Sequence, residues 1–330
     1  MGEIIMTSAG KKWVRAGLLT AGAAGIAAVS HSITNFLVRV AIDRDCPAPD
    51  TLARMAIRGS ACPREFLDAM RVGAENLEAL PHQVVQLKAK DGTALIGHWF
   101  AGENPERIIV AMHGWRSGWN FDFGMAAPFL LERGCAILFP EQRGQGGSGG
   151  EHMGLGALER HDCLQWINWV NDHRNKDKLP IYLAGVSMGA TTVLLCADMA
   201  LPDTVKGIIA DCGFTSAQAI CKHVVEHNLH LSYAIRSHMA DKLCKKRNRA
   251  GLRACSAIDS LARSKVPVLF IHGSDDCFVP VSMTYENYKA CISTKTLFIV
   301  PGADHGMSYY TDREGYEKAL LRFWALNDAP

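Results

Sequence analysis

The sequence has almost no net charge, no zinc-type cysteine spacing and no long run of strongly apolar residues. Thirty-five Lys and Arg stand against 33 Asp and Glu, a formal charge of +2. No global field therefore recruits nucleic acid or an acidic partner. Hydrophobic residues make up 48% and charged residues 21%, which excludes a disordered, collagen-like or coiled-coil chain. The eleven cysteines are odd in number and show no CxxC or Cys/His zinc pattern. That argues against a disulfide framework and against a metal centre, and no cofactor is expected. Cys135 in CAILF and Cys196 in VLLCADM read as small buried hydrophobes. Such usage suits a reducing compartment.

The N-terminus is the weakest signal. Lys11, Lys12 and Arg15 precede residues 16–38, AGLLTAGAAGIAAVSHSITNFLV. The stretch is long enough to span a bilayer, but it is rich in Ala and Gly and contains His31 and Asn35. Three readings stand side by side. One is an uncleaved signal anchor with the basic end inside. Another is a cleaved signal peptide, with Ala28-Val29-Ser30 as a weak cleavage site. The third is an amphipathic helix lying over the globular domain. The first two place the globular part outside the cytoplasm, and the first holds it at the membrane; the alternative is a cytoplasmic protein, which the cysteines fit better. We divide the chain into residues 1–45 (signal anchor or amphipathic helix), 46–81 (connector, with a helix over 64–79) and 82–330 (one α/β domain).

From residue 82 onward, strands and helices alternate. Period-two runs flank Asp91-Gly92, a hairpin signal. Solid apolar runs come next at Ile108–Met112, Cys135–Phe139, Ile181–Ala184, Val205–Ala210, Val266–Ile271 and Leu297–Val300. Such runs suit strands buried on both faces of a parallel sheet. Helical stretches separate them, as at Leu158–Val170 and Ala190–Met199. The pattern predicts a mostly parallel sheet flanked by helices after an antiparallel start. The strands begin near residue 82, so the segment before them is not needed to build the sheet. In such sheets, chemistry sits at the carboxyl ends of the strands.

The residues just past the strand ends carry the chemical signal. After IYLA comes Gly185-Val186-Ser187-Met188-Gly189, between a strand and a helix. This G-x-S-x-G turn lifts a serine hydroxyl above the sheet. A nucleophilic serine needs a base, and His305 lies in the loop PGADHG just past the last strand. The histidine needs a carboxylate to hold its tautomer. Either Asp275 or Asp276 after PVLFIHG could serve, and the order Ser187, Asp276, His305 is the order expected of this topology. A tetrahedral intermediate needs backbone donors. The candidates are the amide of Met188 and that of Trp115, in the turn His113-Gly114-Trp115. The Trp115 indole is a candidate pocket wall.

Together these residues resemble the α/β-hydrolase superfamily, over about residues 82–330. The stretches MGLGALERHDCLQWINWV, LAGVSMGATTV, ADCGFTS, KVPVLFIHGSDDCFVPVSM and PGADHGMSYYTD are similar to a bacterial branch of N-terminally anchored serine hydrolases and esterases with prolyl-oligopeptidase-like and acyltransferase-like relatives. Glu141 stands where that branch usually has Asp. The resemblance implies Ser187 as nucleophile, His305 as base, Asp276 as acid and Gly114-Trp115 as the oxyanion turn. It also implies an esterase acting on a small-molecule ester or acyl substrate. An acyl-peptidase or amidase, an acyltransferase and a non-catalytic binding protein are the rival readings. No propeller-sized gating domain is present, and an intact triad argues against the last.

Residues 214–262 lie where such hydrolases carry a cap, and we expect a helical insertion there. Phe214, Leu229, Leu231, Tyr233 and Met239 are its candidate pocket residues, with Phe214, Leu231 and Met239 joining Trp115 as the first choices. Lys242, Lys245, Lys246, Arg247, Arg249 and Arg253 form a basic cluster, read as a solvated helix face or as a patch for anionic headgroups or an acidic substrate. No aromatics interleave it, which argues against nucleic acid.

Overall fold

The apolar runs assemble into one eight-stranded sheet in the computed structural model, which describes residues 25, 27–45 and 62–328. The strands are β1 (Gln83–Lys88), β2 (Ala94–Phe100), β3 (Arg107–Met112), β4 (Cys135–Pro140), β5 (Ile181–Val186), β6 (Val205–Asp211), β7 (Val268–Gly273) and β8 (Lys295–Val300). Their spatial order is β1-β2-β4-β3-β5-β6-β7-β8. β1 and β2 form the expected hairpin around Asp91-Gly92, and β2 runs antiparallel to β4. Every pairing from β4 to β8 is parallel. This is the α/β-hydrolase fold. The run at 266–271 starts its strand two residues late because Pro267 has no N–H to give the ladder.

Both faces of the sheet are covered, which is why the central strands read as unbroken apolar runs. Ile108, Val110 and Met112 of β3 point to one face, with Trp166 and Ile167 of helix α5 (Glu159–His173) and Val193 of α6 (Met188–Leu194). Ile109 and Ala111 point to the other, with Trp119 of α3 (Trp119–Phe123), Phe129 of α4 (Ala127–Glu132) and Trp324 of α12 (Arg313–Asn327). The helix predicted over 64–79 is α2 (Arg64–Ala79), which buries Phe66, Ala74 and Leu77. The helix expected to reach Met199 stops at Leu194. Tighter turns continue from there, with the Cys196 and Ala197 amides bonding the carbonyls of Val193 and Leu194.

The insertion is helical: α7 (Ala217–His223), a π-helical turn (Val224–Asn228), α8 (Tyr233–Asn248) and α9 (Ala257–Leu261). The last returns to the core, where Ala257 and Leu261 pack with the β3 side of the sheet. Its base is closed by the Ala257 amide on the Thr215 carbonyl at 2.8 Å. The basic cluster is divided. Lys245 pairs with Asp241 at 2.9 Å and Arg247 bonds the Asn35 side chain at 2.8 Å, whereas Lys242, Lys246 and Arg249 lie along or just past α8.

Residues 27–42 form helix α1, whose Val38, Val40 and Ile42 are buried. Most of the rest of the candidate anchor, including 16–24, lies outside the described residues. Among the described residues no helix is long and apolar enough to cross a membrane. No disulfide joins any two of the ten described cysteines.

One buried ion pair ties the loop after β4 to the frame. The Arg143 guanidinium donates to both oxygens of Asp162 on α5, at 2.5 and 2.6 Å, and to Asp91 in the β1–β2 turn at 2.7 Å. Asp162 is 3% exposed and Arg143 7%. Removing Asp162 leaves the buried Arg143 with only the half-exposed Asp91, at a cost of up to about 3–5 kcal/mol. Asp162→Ala is expected to lower unfolding stability by that amount in urea, whereas Glu314→Ala, at an exposed pair, should change it by less than about 1 kcal/mol.

Candidate active site

The turn between β5 and α6 is a single residue, Ser187, with φ 55° and ψ −116°. A non-glycine residue held there stores on the order of 1–3 kcal/mol of strain. Its amide donates to the Asp211 carbonyl of β6 at 2.8 Å, and its carbonyl accepts from Thr191 at 3.0 Å, which fixes the turn. The flanking glycines are a packing requirement. A Cβ on Gly189 would lie 1.9 Å from the Met112 carbonyl oxygen of β3, and one on Gly185 would lie 2.3 Å from the Gly189 carbonyl carbon.

Three side chains from three strand ends meet here. His305 Nε2 lies 2.9 Å from Ser187 Oγ, and His305 Nδ1 lies 2.7 Å from Asp276 Oδ2. Asp276 Oδ1 accepts the amides of Phe278 and Val279 at 2.9 and 2.7 Å. His272, fully buried, contributes Nε2 to Asp276 Oδ2 at 3.0 Å and to the Val279 carbonyl at 2.8 Å, and Nδ1 to Thr284 Oγ1 at 2.6 Å. A carbonyl only accepts, so His272 Nε2 carries its proton. Burial pushes the Asp276 carboxyl up, but the two histidines and their hydrogen bonds outweigh it and hold the group well below the usual carboxylate range. Asp275 turns elsewhere and accepts from Ser274 Oγ at 2.6 Å. Asp304 clips the two loops together, its Oδ1 accepting the amides of Cys277 and His305 at 3.0 and 2.7 Å.

The turn after β3 abuts the serine: a Cβ on Gly114 would sit 3.4 Å from Ser187 Cβ. The amides of Gly114 and Arg116 are taken by Asp122 Oδ2 at 2.5 Å and Gln145 Oε1 at 2.6 Å, and the Trp115 amide lies between them. Met188 opens α6, so its N–H is among those a helix leaves without an intrahelical acceptor. His113 braces the turn from below. Its Nε2 accepts the Gln142 amide at 3.0 Å, so its Nδ1 donates to the Gly114 carbonyl at 2.8 Å. Burial pushes its pKa down and keeps it neutral.

The sequence reading did not single out His113, Asp122, Gln142 or His272 for this shell. The usable signal was position: His113 and Gln142 stand just past strand ends, and His272 stands inside one. Asp211 was also missed. It is buried at the end of β6, accepts from Ser308 Oγ at 2.9 Å, and burial raises its pKa. Cys212 Sγ, Asp276 and His305 place ligand atoms within 4.8 Å of one another. They do not suit a metal: the carboxylate and imidazole are engaged in the chain just described, and burial pushes the thiol far up.

A cavity with an empty volume of about 930 Å³, counted to its open mouth, reaches Ser187. Trp115, Phe214, Leu229 and Tyr233 line it, whereas the candidate residues Leu231 and Met239 are not among its lining. The α8 face that lines the cavity runs through Tyr233, Arg236, Ala240 and Cys244, and Met239 is off that face. Leu231 is fixed in the loop before α8 by its amide on the Val225 carbonyl at 2.8 Å. Phe278 also lines the cavity and sets its edge against His305, ring centres 4.9 Å apart.

The profile of the prolyl oligopeptidase family matches residues 119–328. The chain belongs to the prolyl oligopeptidase family. It is a serine hydrolase of the α/β-hydrolase fold. The chain is 28% identical over 253 residues to the uncharacterized protein YqkD of Bacillus subtilis, covering 76% of this chain and 81% of that one. It is 24% identical over 250 residues to YfhR of Escherichia coli K12, covering 72% and 79%. Among solved structures, the esterase Pf2001 of Pyrococcus furiosus superposes with a TM-score of 0.63 at 19% identity, over 77% of this chain and 94% of that one. Est1E of Butyrivibrio proteoclasticus, with ferulic acid bound, gives 0.58 at 20% identity, over 73% and 99%. The acylaminoacyl peptidase of Pyrococcus horikoshii gives 0.55 at 16%, over 78% of this chain but 43% of the peptidase.

The close approach of α6 to β3 gives a direct test. Gly189→Ala forces a methyl group against backbone that cannot yield, and is expected to cost about 3 kcal/mol or more in urea unfolding. A variant as stable as the parent would contradict the packing described.

Proposed function

We propose that this member cleaves carboxylic esters with an apolar acyl group, using Ser187, His305 and Asp276 as its triad. The observation that carries the proposal is the unbroken chain Ser187 Oγ–His305 Nε2, His305 Nδ1–Asp276 Oδ2, opening onto a cavity walled almost entirely by carbon. Ser187 Oγ attacks the ester carbonyl while His305 Nε2 takes its proton. Asp276 holds the ring in the tautomer that leaves Nε2 free to accept, and it stabilises the imidazolium. The amides of Met188 and Trp115 receive the oxyanion. The proton passes from His305 to the leaving alkoxide. Water, activated by the same nitrogen, then releases the acyl group and regenerates Ser187.

The second reading is peptide or amide cleavage, which the family membership favours. Among the described residues that line the cavity none is acidic, which supports the ester over a peptide whose amino group would need a carboxylate. A nitrophenyl ester and a nitroanilide of the same acyl group separate the two, with kcat/KM expected to favour the ester well beyond the difference in intrinsic reactivity. Equal or better turnover of the anilide would overturn the ester assignment.

For the triad, Ser187→Ala and His305→Ala are each expected to lower kcat by on the order of 10⁴ or more with little loss of stability. Asp276→Asn should lose most of kcat, because the wrong tautomer is held. Asp275→Asn, which keeps its distance from His305, should lose little. Normal turnover by Ser187→Ala would refute the assignment, and a dead Asp275→Asn beside an active Asp276→Asn would move the acid by one position.

A further inference from the structure

Helix α1 lies ahead of the first strand, yet it reaches the catalytic end of the sheet. Thr34, Leu37, Val38, Val40 and Ala41 line the same cavity as Ser187. Val38 and Ile42 share an apolar cluster with Met188 of the serine turn and with Phe214, Ile220, Ala240 and Cys244 of the insertion. The cavity is thus closed on one side by α7 and α8 and on another by α1.

The helix is fastened at the point where the chemistry is expected. Its last turn exposes carbonyls that the helix cannot satisfy itself. The Trp115 indole donates to the Ala41 carbonyl at 2.8 Å. The Arg116 guanidinium donates to the carbonyls of Val40 at 2.8 Å, Asp43 at 2.6 Å and Arg44 at 3.2 Å. Arg116 sits at φ 50°, turned so that its side chain meets the helix end. Below this, Met153 donates its amide to the Ile42 carbonyl at 2.7 Å and Arg44 donates to the Ser148 and Gly146 carbonyls at 2.5 Å each. The residues that follow Gly114 therefore hang from α1. A wall held this way keeps its position when a ligand presses on it.

We propose that α1 is a specificity-determining part of the active site: Leu37, Val38 and Ala41 form the wall against which the alkyl chain of the acyl group packs. The inference rests on the ester reading above and deepens it. The occupant follows from the lining. Apart from Ser187, Arg236, Thr34, Cys221 and Cys244, the lining residues are aliphatic or aromatic, and a flexible alkyl chain attached to the Ser187 acyl carbon is what such a surface accepts. Phe36, on the same helix, is 45% exposed and is not among the lining residues, so it serves as an internal control.

The test is the ratio of kcat/KM for nitrophenyl octanoate to that for nitrophenyl acetate, in the full-length protein. Val38→Phe fills the cavity from the α1 side and is expected to lower the ratio by at least about tenfold, the discrimination that a lost methylene contact gives. Leu37→Ala enlarges the cavity and is expected to move the preferred ester toward longer chains, read on dodecanoate against octanoate. Phe36→Ala should leave both ratios unchanged. The opposite directions keep the proposal testable if one variant fails to fold. Ratios in the folded Val38 and Leu37 variants equal to the parent's would overturn it. A parent that cleaves no ester at any chain length would instead overturn the ester reading.

Discussion

The backbone of α6 lies against the carbonyl end of β3 at a distance that only a hydrogen atom fits, and the site depends on that approach. Gly189 sits where any Cβ would meet the Met112 carbonyl oxygen at 1.9 Å. The approach sets Ser187 beside Gly114, at the turn after β3. The strain at Ser187 is carried by its neighbours. Its amide is spent on β6, and the short helix behind it is buried along its length.

The acid side is built with equal redundancy. Asp276 receives two amides and two imidazoles, so its charge is stabilised from four directions although it is nearly buried. Burial alone would favour the protonated acid, and the donors win. The carboxyl is depressed in the folded protein, so its contribution to stability is present above the ordinary carboxylate range. It is lost as pH falls through the folded value. The same donors orient the carboxylate toward His305, and Asp304 binds the acid loop to the histidine loop.

Much of this was legible in the sequence because strand ends are local signals. The turn GVSMG, the loop PGADHG and the pair Asp275-Asp276 each come after an apolar run, and the parallel topology brings such positions to one edge. The choice between the two aspartates was harder, since both follow the same strand, and only the bonds of Asp276 to His305, His272 and the Phe278 and Val279 amides separate them. The cavity was less legible. α8 carries charge around much of its circumference, so hydropathy did not give the phase that selects Tyr233, Arg236, Ala240 and Cys244 over Met239. The place of α1 was legible only as one of three readings, a helix lying over the domain, and its contact with the site was not. Its contacts run through backbone carbonyls to Trp115 and Arg116, more than 70 residues away, and carbonyls leave no trace in a side-chain pattern. His113 and Gln142 were hidden for a related reason: each serves the turn by bonding backbone.

If Ser187 takes the acyl chain, an octyl fluorophosphonate should modify it and nothing else, which the mass of the intact protein after reaction, followed by peptide mapping, measures. One adduct per chain is expected, on the peptide containing Gly185-Val186-Ser187-Met188-Gly189, with ester turnover lost in proportion to its formation. An adduct on another residue, or ester turnover that continues once Ser187 is fully modified, would contradict it.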